Sequence, residues 1–301
     1  MHTAVMTDTN SGISLEDGRA LGIFVLPMPV IVDGQDYLEE VSITHEDLYK
    51  AIRKGSDVSS SQPSPGSLTE MWDRILSNGY DELVYIPMSS GLSSSCASAL
   101  ALAADYDGRV EVADNHRISV SLHDSVMDAL SLAREGRTAR EIREYLEETG
   151  AMSSIYITVN TLALLKKSGR VTPAAAAIAT VMHLKPVLTI QGGKLDTFSK
   201  ARGIRHSERK MLDAVADDIR LRFSDHPSER ISIGAASTFE DPEEEKAWLQ
   251  AVRTAFPGHP TFYGRLACSI ACHVSVNAIG IGVSVLHEAP KDGIIGGVTL
   301  S

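Results

Sequence analysis

The feature that most limits the fold is an alternation of strand, polar loop and helix that recurs through the first half of the chain. Three short apolar runs, Ala4-Val5-Met6, Leu83-Val84-Tyr85-Ile86 and Val110-Glu111-Val112-Ala113, each end in a polar loop. Those loops are Thr7-Asp8-Thr9-Asn10, Ser89 to Ser95, and Asp114-Asn115-His116. Helical patterns lie between the runs. Ser67 to Leu76 gathers Leu68, Met71, Ile75 and Leu76 on one side, Ser93 to Ala104 is rich in alanine, and helices follow over Ser119 to Arg134 and Thr138 to Glu148. Thr138 with Glu141, and Thr44 with Asp47, have the spacing of an N-cap and an acidic third residue, so each opens a helix. Strands separated by helices predict a parallel sheet covered on both faces. The run from Ile23 to Val32 contains Pro27 and Pro29, which places it at an edge or on an extended path.

Near Gly150 the pattern changes. Ile155 to Val159 reads as a strand, Thr161 to Lys167 and Ala174 to Met182 as short helices. Pro186 to Ile190 and Lys194 to Phe198, around Gly192-Gly193, read as a hairpin. A helix from Ile204 to Phe223, a strand from Ile231 to Ala235, a helix capped by Asp241 and Pro242, and strands near Thr261 and Ile281 complete a mixed layer. With 301 residues and 43% apolar content, the chain divides at about the usual domain size into two. The expected fold is two-domain α/β: a parallel-sheet, Rossmann-like domain over residues 1–150 and a mixed α+β domain over 151–301.

Charge narrows the partners. Against 39 acidic residues stand 28 Lys and Arg, a net −11, which repels a phosphate backbone and argues against nucleic-acid binding. The start, Met1-His2-Thr3-Ala4 with no basic stretch before Asp8, shows no secretory leader, and no run of about 18 apolar residues could span a bilayer. A cytoplasmic location is expected. Three cysteines are too few for a disulfide scaffold. Cys268 and Cys272 before His273 lack a second ligand cluster, and Leu266 to Ala271 reads as a buried strand, so no metal is expected. Nor is there a P-loop, a nucleophile elbow or a dinucleotide fingerprint.

Two serine-rich loops remain. Ser59-Ser60-Ser61-Gln62-Pro63-Ser64-Pro65-Gly66 lies between two helical patterns, its prolines restraining the backbone that carries the Ser60 and Ser61 hydroxyls. Ser89-Ser90-Gly91-Leu92-Ser93-Ser94-Ser95 follows a strand and opens a helix, where backbone N–H groups, the positive helix end and hydroxyls come together. An anion, phosphate or carboxylate, suits both; ordinary capping loops are the plainer alternative.

The same residues resemble those of the DegV family of bacterial fatty-acid-binding proteins. Ser60 to Gly66 is similar to its Thr-Ser-Gln-Pro-Ser-Pro-Gly motif, and Ser89 to Ser93 to its Ser-Ser-Gly-Leu-Ser loop. Thr7-Asp8-Thr9, Asp114, Leu164 to Arg170, Lys185-Pro186, Lys200 to Gly203 and Cys272-His273-Val274 resemble further family segments in order. The chain departs from the pattern at Ser94-Ser95, Ser168 and Ser275-Val276-Asn277. The resemblance implies one long-chain fatty acid held between two domains, no cofactor, and no catalysis by this chain alone. A separate ATP-dependent fatty acid kinase would phosphorylate the presented carboxylate for phospholipid synthesis. It further implies that Ser60, Ser61, Gly91, Ser93, Ser94 and His273 hold the carboxylate, and that Arg170 and Arg202 support the site or dock the kinase. Lipid exchange would allow transient membrane contact. Val181, Met182 and Leu184 are candidates for the tunnel wall. The competing class is an enzyme or binding protein for a small phosphorylated metabolite, with Asp114 and the serine loops as ligands and His273 as general acid–base.

Overall fold

The computed structural model describes residues 2–178, 185–190 and 193–290. The first half runs β1 (Thr3–Asp8), α1 (Leu15–Leu21), β2 (Phe24–Leu26), β3 (Pro29–Val32), β4 (Gln35–Leu38), α2 (His45–Lys54) and β5 (Val58–Ser60). It continues through α3 (Pro65–Ser77), β6 (Glu82–Ile86), α4 (Ser95–Ala103), β7 (Val110–Val112), α5 (Ser119–Arg134) and α6 (Ala139–Glu148). Four of these strands form an all-parallel sheet in the order β2-β1-β6-β7, with Met6 beside both Phe24 and Tyr85. Alternation along the strands sorts the two faces. Ala4, Met6, Leu83 and Tyr85 pack with Trp72 and Ile75 of α3 and Cys96 and Ala99 of α4. Val5, Val84 and Ile86 pack with Leu122 and Val126 of α5 and Ile142 and Leu146 of α6. Both expected capping boxes are present, at Thr44 and Thr138.

The second half contains β8 (Ser153–Thr158), α7 (Ala163–Ser168), α8 (Pro173–Ile178), β9 (Val187–Ile190), β10 (Asp196–Ser199), α9 (Ile204–Leu221) and β11 (Ile231–Ser237). Then come α10 (Pro242–Ala255), β12 (Thr261–Arg265), α11 (Cys268–Val274) and β13 (Ile279–Val285). Its six-stranded sheet has the order β10-β9-β8-β13-β11-β12, antiparallel except for the β11–β12 pair. Met211 and Val215 of α9, with Trp248 and Val252 of α10, cover one face. The chain is therefore α/β, with a parallel sheet and a separate mixed sheet. No described helix is long and apolar enough to cross a membrane.

Helix α5 lies between the two sheets, and this explains why it is buried over most of its length. Its Val120 presses on three strands of the mixed sheet at glycines. A Cβ added at Gly234 would lie 2.5 Å from Val120 Cβ, at Gly282 2.6 Å from Val120 Cγ2, and at Gly264 3.0 Å from Val120 Cγ1. Only residues without a side chain let the helix approach so closely. Ser232 Oγ donates to Asp124 Oδ1 at 3.1 Å across the same contact.

Two segments differ from the sequence expectation. Ser59 and Ser60 are not in a loop between helices; they belong to β5, which joins β3 and β4 in a small antiparallel sheet of order β4-β3-β5. The segment read as a buried strand around Cys268 is helix α11. Small residues do not decide between the two states, and the buried Glu39 carboxylate decides for the helix. It accepts the first N–H, from Cys268 at 2.5 Å, and a bond from the Ser269 N–H. Helix α11 then packs on the small sheet and α2, Cys268 and Cys272 clustering with Val30, Val58 and Leu48. The expected tunnel residues Val181, Met182 and Leu184, and Gly192 of the expected turn, lie outside the described residues.

Candidate functional site

Packing α11 against β5 brings His273 to Ser60, 213 residues away, with Ser60 Oγ and His273 Nε2 2.8 Å apart. Burial, and secondarily the Arg170 guanidinium, pushes the imidazole down to about 4, so it is neutral at physiological pH. Its Nδ1 is buried without a hydrogen-bond partner. With the proton on Nε2, His273 donates to Ser60 Oγ and leaves the Ser60 O–H free to donate elsewhere.

The second serine loop is held from several sides. Asp8, wholly buried at the end of β1, accepts from the Met88 N–H at 3.2 Å and from Asn10, and desolvation raises its pKa to about 6. Asp114 Oδ1 accepts from the Ser90 N–H at 3.2 Å, and Ser89 takes the N–H groups of Gly91, Leu92 and Ser93. The amides of Gly91 and Ser93, expected to face a ligand, are thus spent within the loop. What this loop offers is the Ser93 hydroxyl. Its oxygen accepts from the Ser95 N–H at 3.2 Å, which leaves its proton to donate.

Ser60, Ser61, Ser93 and His273 all line one cavity, closed on its other sides by apolar residues including Met88, Leu92, Ile118, Ile157 and Ile270. The cavity holds about 890 Å³ of empty space, the open mouth included. A cavity lined mainly by apolar side chains fits an alkyl chain better than a hydrated, polar molecule. Arg170 is the one permanently charged side chain among the described lining residues; its Nη1 donates to the Ser168 carbonyl at 2.6 Å. Gly91, Ser94 and Asp114 do not line this cavity, and Arg202 is exposed before α9.

Asn10 and Ser269 also face the cavity and were missed in the sequence. Ser269 Oγ donates to Asn10 Oδ1 at 2.6 Å, and Asn10 Nδ2 donates to Asp8 at 2.8 Å. Asn10 lies in a strand-end loop, a usual place for ligands, but reading Ser269 as part of a strand hid its partner. One group could hold a metal by residue type: ligand atoms of Glu39, His45 and Cys268 lie within 4.8 Å of one another. All three groups are already committed to hydrogen bonds. Glu39 accepts from Thr9 at 2.7 Å and from the Cys268 N–H, His45 Nε2 bonds the Leu266 carbonyl at 3.2 Å, and the Cys268 thiol bonds Glu39.

Residues 2–285 match the model of a family described as an uncharacterised protein, DegV family. The chain belongs to the DegV family. A DegV domain-containing protein of Deinococcus radiodurans is 28% identical over 287 residues, covering 95% of this chain and 99% of that one. Among solved structures, a DegV family protein from Thermus thermophilus, described by its fatty acid binding, superposes with a TM-score of 0.83 at 26% identity, over 95% of this chain and all of the other. The DegV fatty acid binding protein of Bacillus subtilis has the same fold, with a TM-score of 0.82 at 23% identity over 95% and 99% of the two chains.

Proposed function

We propose that this DegV protein binds one long-chain fatty acid in the cavity, carboxylate toward Ser60, Ser93 and His273. The observation that supports it most is an apolar cavity that carries two serine hydroxyls: the Ser93 oxygen accepts from the Ser95 N–H, and Ser60 Oγ, in the tautomer that puts the His273 proton on Nε2, likewise keeps its own proton for an anion. The similar Thermus thermophilus protein, described by its fatty acid binding, favours the same ligand. Burying about sixteen methylenes at about 0.8 kcal/mol each gives about 13 kcal/mol before the costs of ordering the ligand. Hydrogen bonds to a charged carboxylate contribute about 1.5–3 kcal/mol each. The tail sets affinity and the polar end sets orientation. A phosphorylated metabolite is a poorer occupant, because its hydroxyls would be buried against apolar walls without partners.

The carboxylate so held serves as substrate for a separate ATP-dependent fatty acid kinase, and this chain is the non-catalytic, lipid-carrying partner in the cytoplasm. A second cleft, lined by Val58, Ser59 and Lys167, meets the cavity at Ser60, Arg170 and His273 and supports access to the carboxylate from outside. Arg170 stands at that meeting point, while exposed Arg202 is a candidate for docking the kinase. Exposed Phe198 and Ile204, near Lys200 and Arg205, suit transient membrane contact during lipid exchange. Mass spectrometry of an organic extract of the purified protein tests the ligand: a long-chain fatty acid is expected, and a phosphorylated polar compound without lipid refutes the reading. Adding a fatty acid kinase with ATP tests the partner. Acyl phosphate should form only when both proteins are present.

A further inference from the structure

Two other clefts adjoin the cavity. They adjoin it at different residues. The cleft at the polar end shares Ser60, Arg170 and His273 with the cavity, whereas a third cleft shares only Ile155 and Ile190 with it. No residue is common to the first and third clefts. Ile155 and Ile190 are cross-strand partners on β8 and β9. Along β8, Ile157 also lines the cavity, and the chain then leads through Leu165 to Arg170. Each residue of a strand advances about 3.3 Å, so Ile155 lies about 7 Å before Ile157 along β8, on the side away from the segment that leads to Arg170. The two isoleucines are half-buried and pack on the core that surrounds the cavity. Beyond them lie His116, Glu147, Glu148 and Arg222, ionisable and charged groups that an alkyl chain would have to desolvate.

We propose that Ile155 and Ile190 form a wall one side chain thick that stops the end of the acyl tail and sets the longest chain this protein accepts. The inference rests on the fatty-acid reading and adds to it a specificity-determining pair. A carbon added to a tail that already reaches the wall must displace an isoleucine or bend back. Removing either side chain to the Cβ opens room for a few more methylenes before the polar cleft begins. Each methylene newly buried favours the longer chain by about fourfold, the equivalent of about 0.8 kcal/mol.

The test is a competition in which delipidated protein meets an equimolar mixture of myristate, palmitate, stearate, arachidate and behenate, and the retained acids are measured by mass spectrometry. Ile155→Ala and Ile190→Ala should each move the retained distribution toward longer chains, by about tenfold or more for a step of two carbons. Ile190→Val, which removes one methyl and is well tolerated in most cores, should move it in the same direction by less. Ile190→Phe should move it toward shorter chains. Variants that bind lipid with the wild-type distribution overturn the wall. A wild-type protein that retains none of the acids overturns the fatty-acid reading itself, and the wall with it.

Discussion

If His273 acts on the ligand only by orienting the Ser60 hydroxyl, the two residues should not contribute independently. Ser60→Ala removes a donor to the carboxylate, a bond worth about 1.5–3 kcal/mol, so the dissociation constant should rise by about ten- to 150-fold. His273→Ala leaves the hydroxyl in place but frees it to rotate; losing one neutral bond of about 0.5–1.5 kcal/mol should weaken binding by about two- to tenfold. In the double variant His273 has nothing left to orient, and binding should match that of Ser60→Ala alone. Fluorescence displacement or calorimetry on delipidated protein measures all three, with thermal unfolding of the lipid-free forms as a control. That control matters because Ser60→Ala leaves Nε2, like Nδ1 already, without a partner at a buried site. Each variant should still purify with lipid, since the roughly 13 kcal/mol of tail burial is untouched. Losses that add in the double variant would show that His273 touches the carboxylate itself and would refute the relay.

Ser93→Ala should cost about 1.5–3 kcal/mol in fatty-acid binding and a larger factor in turnover by an added kinase, because transfer demands a fixed carboxylate; unchanged turnover in the variant counts against the assignment. Burial raises the Glu39 pKa from 4.5 to about 7. The folded state therefore binds this proton more tightly than the unfolded one, and the associated stability is complete below 4.5 and lost as pH rises through about 7. Glu39→Gln should flatten that part of the stability profile, by at most about 1.4 kcal/mol per pH unit, in denaturant unfolding across the window; an unchanged slope would sink the idea. Gly234→Ala forces a methyl to 2.5 Å from Val120 Cβ and should cost about 1–3 kcal/mol, more than Gly264→Ala, whose nearest Val120 contact is 3.0 Å. Equal melting temperatures for the two glycine variants would contradict the close seat of α5.

The helices and the parallel sheet were legible because their signals are local. Ser119 to Arg134 and the two capping boxes came out of the residues directly, since a cap and a periodic face are decided within a few positions. What escaped was decided at long range. Cys268 to Val274 is helical because Glu39, 229 positions away, accepts its first N–H, and no window of sequence contains both. β5 forms because Val30 and Ile31 of β3 pair with Ser60 and Ser59. The polar end divides the same way. The serine loops announced themselves as loops at strand ends, while Asn10 and Ser269 became visible only through the bond between them. Arg170, expected to support the site or dock the kinase, lines the cavity after α7, which packs against α11.

The polar end is assembled from three distant stretches of chain, and each is fixed by a buried carboxylate or by a strand and not by the ligand. Glu39 seats α11 and with it His273, Asp8 holds the loop that carries Ser93, and β3 holds Ser60. Two of these supports carry burial-raised pKa values, so the protein keeps groups in its interior that are costly to ionise there. That cost is met in folding. A ligand arriving at hydroxyls already oriented loses less of its binding energy to ordering them, and a hydrophobic tail that needs no orientation can supply the rest. For the proposed carrier role the division matters: affinity that resides in the tail is retained whatever happens at the carboxylate. On the proposed reading, a separate kinase would then act on the head group while the lipid stays in its cavity.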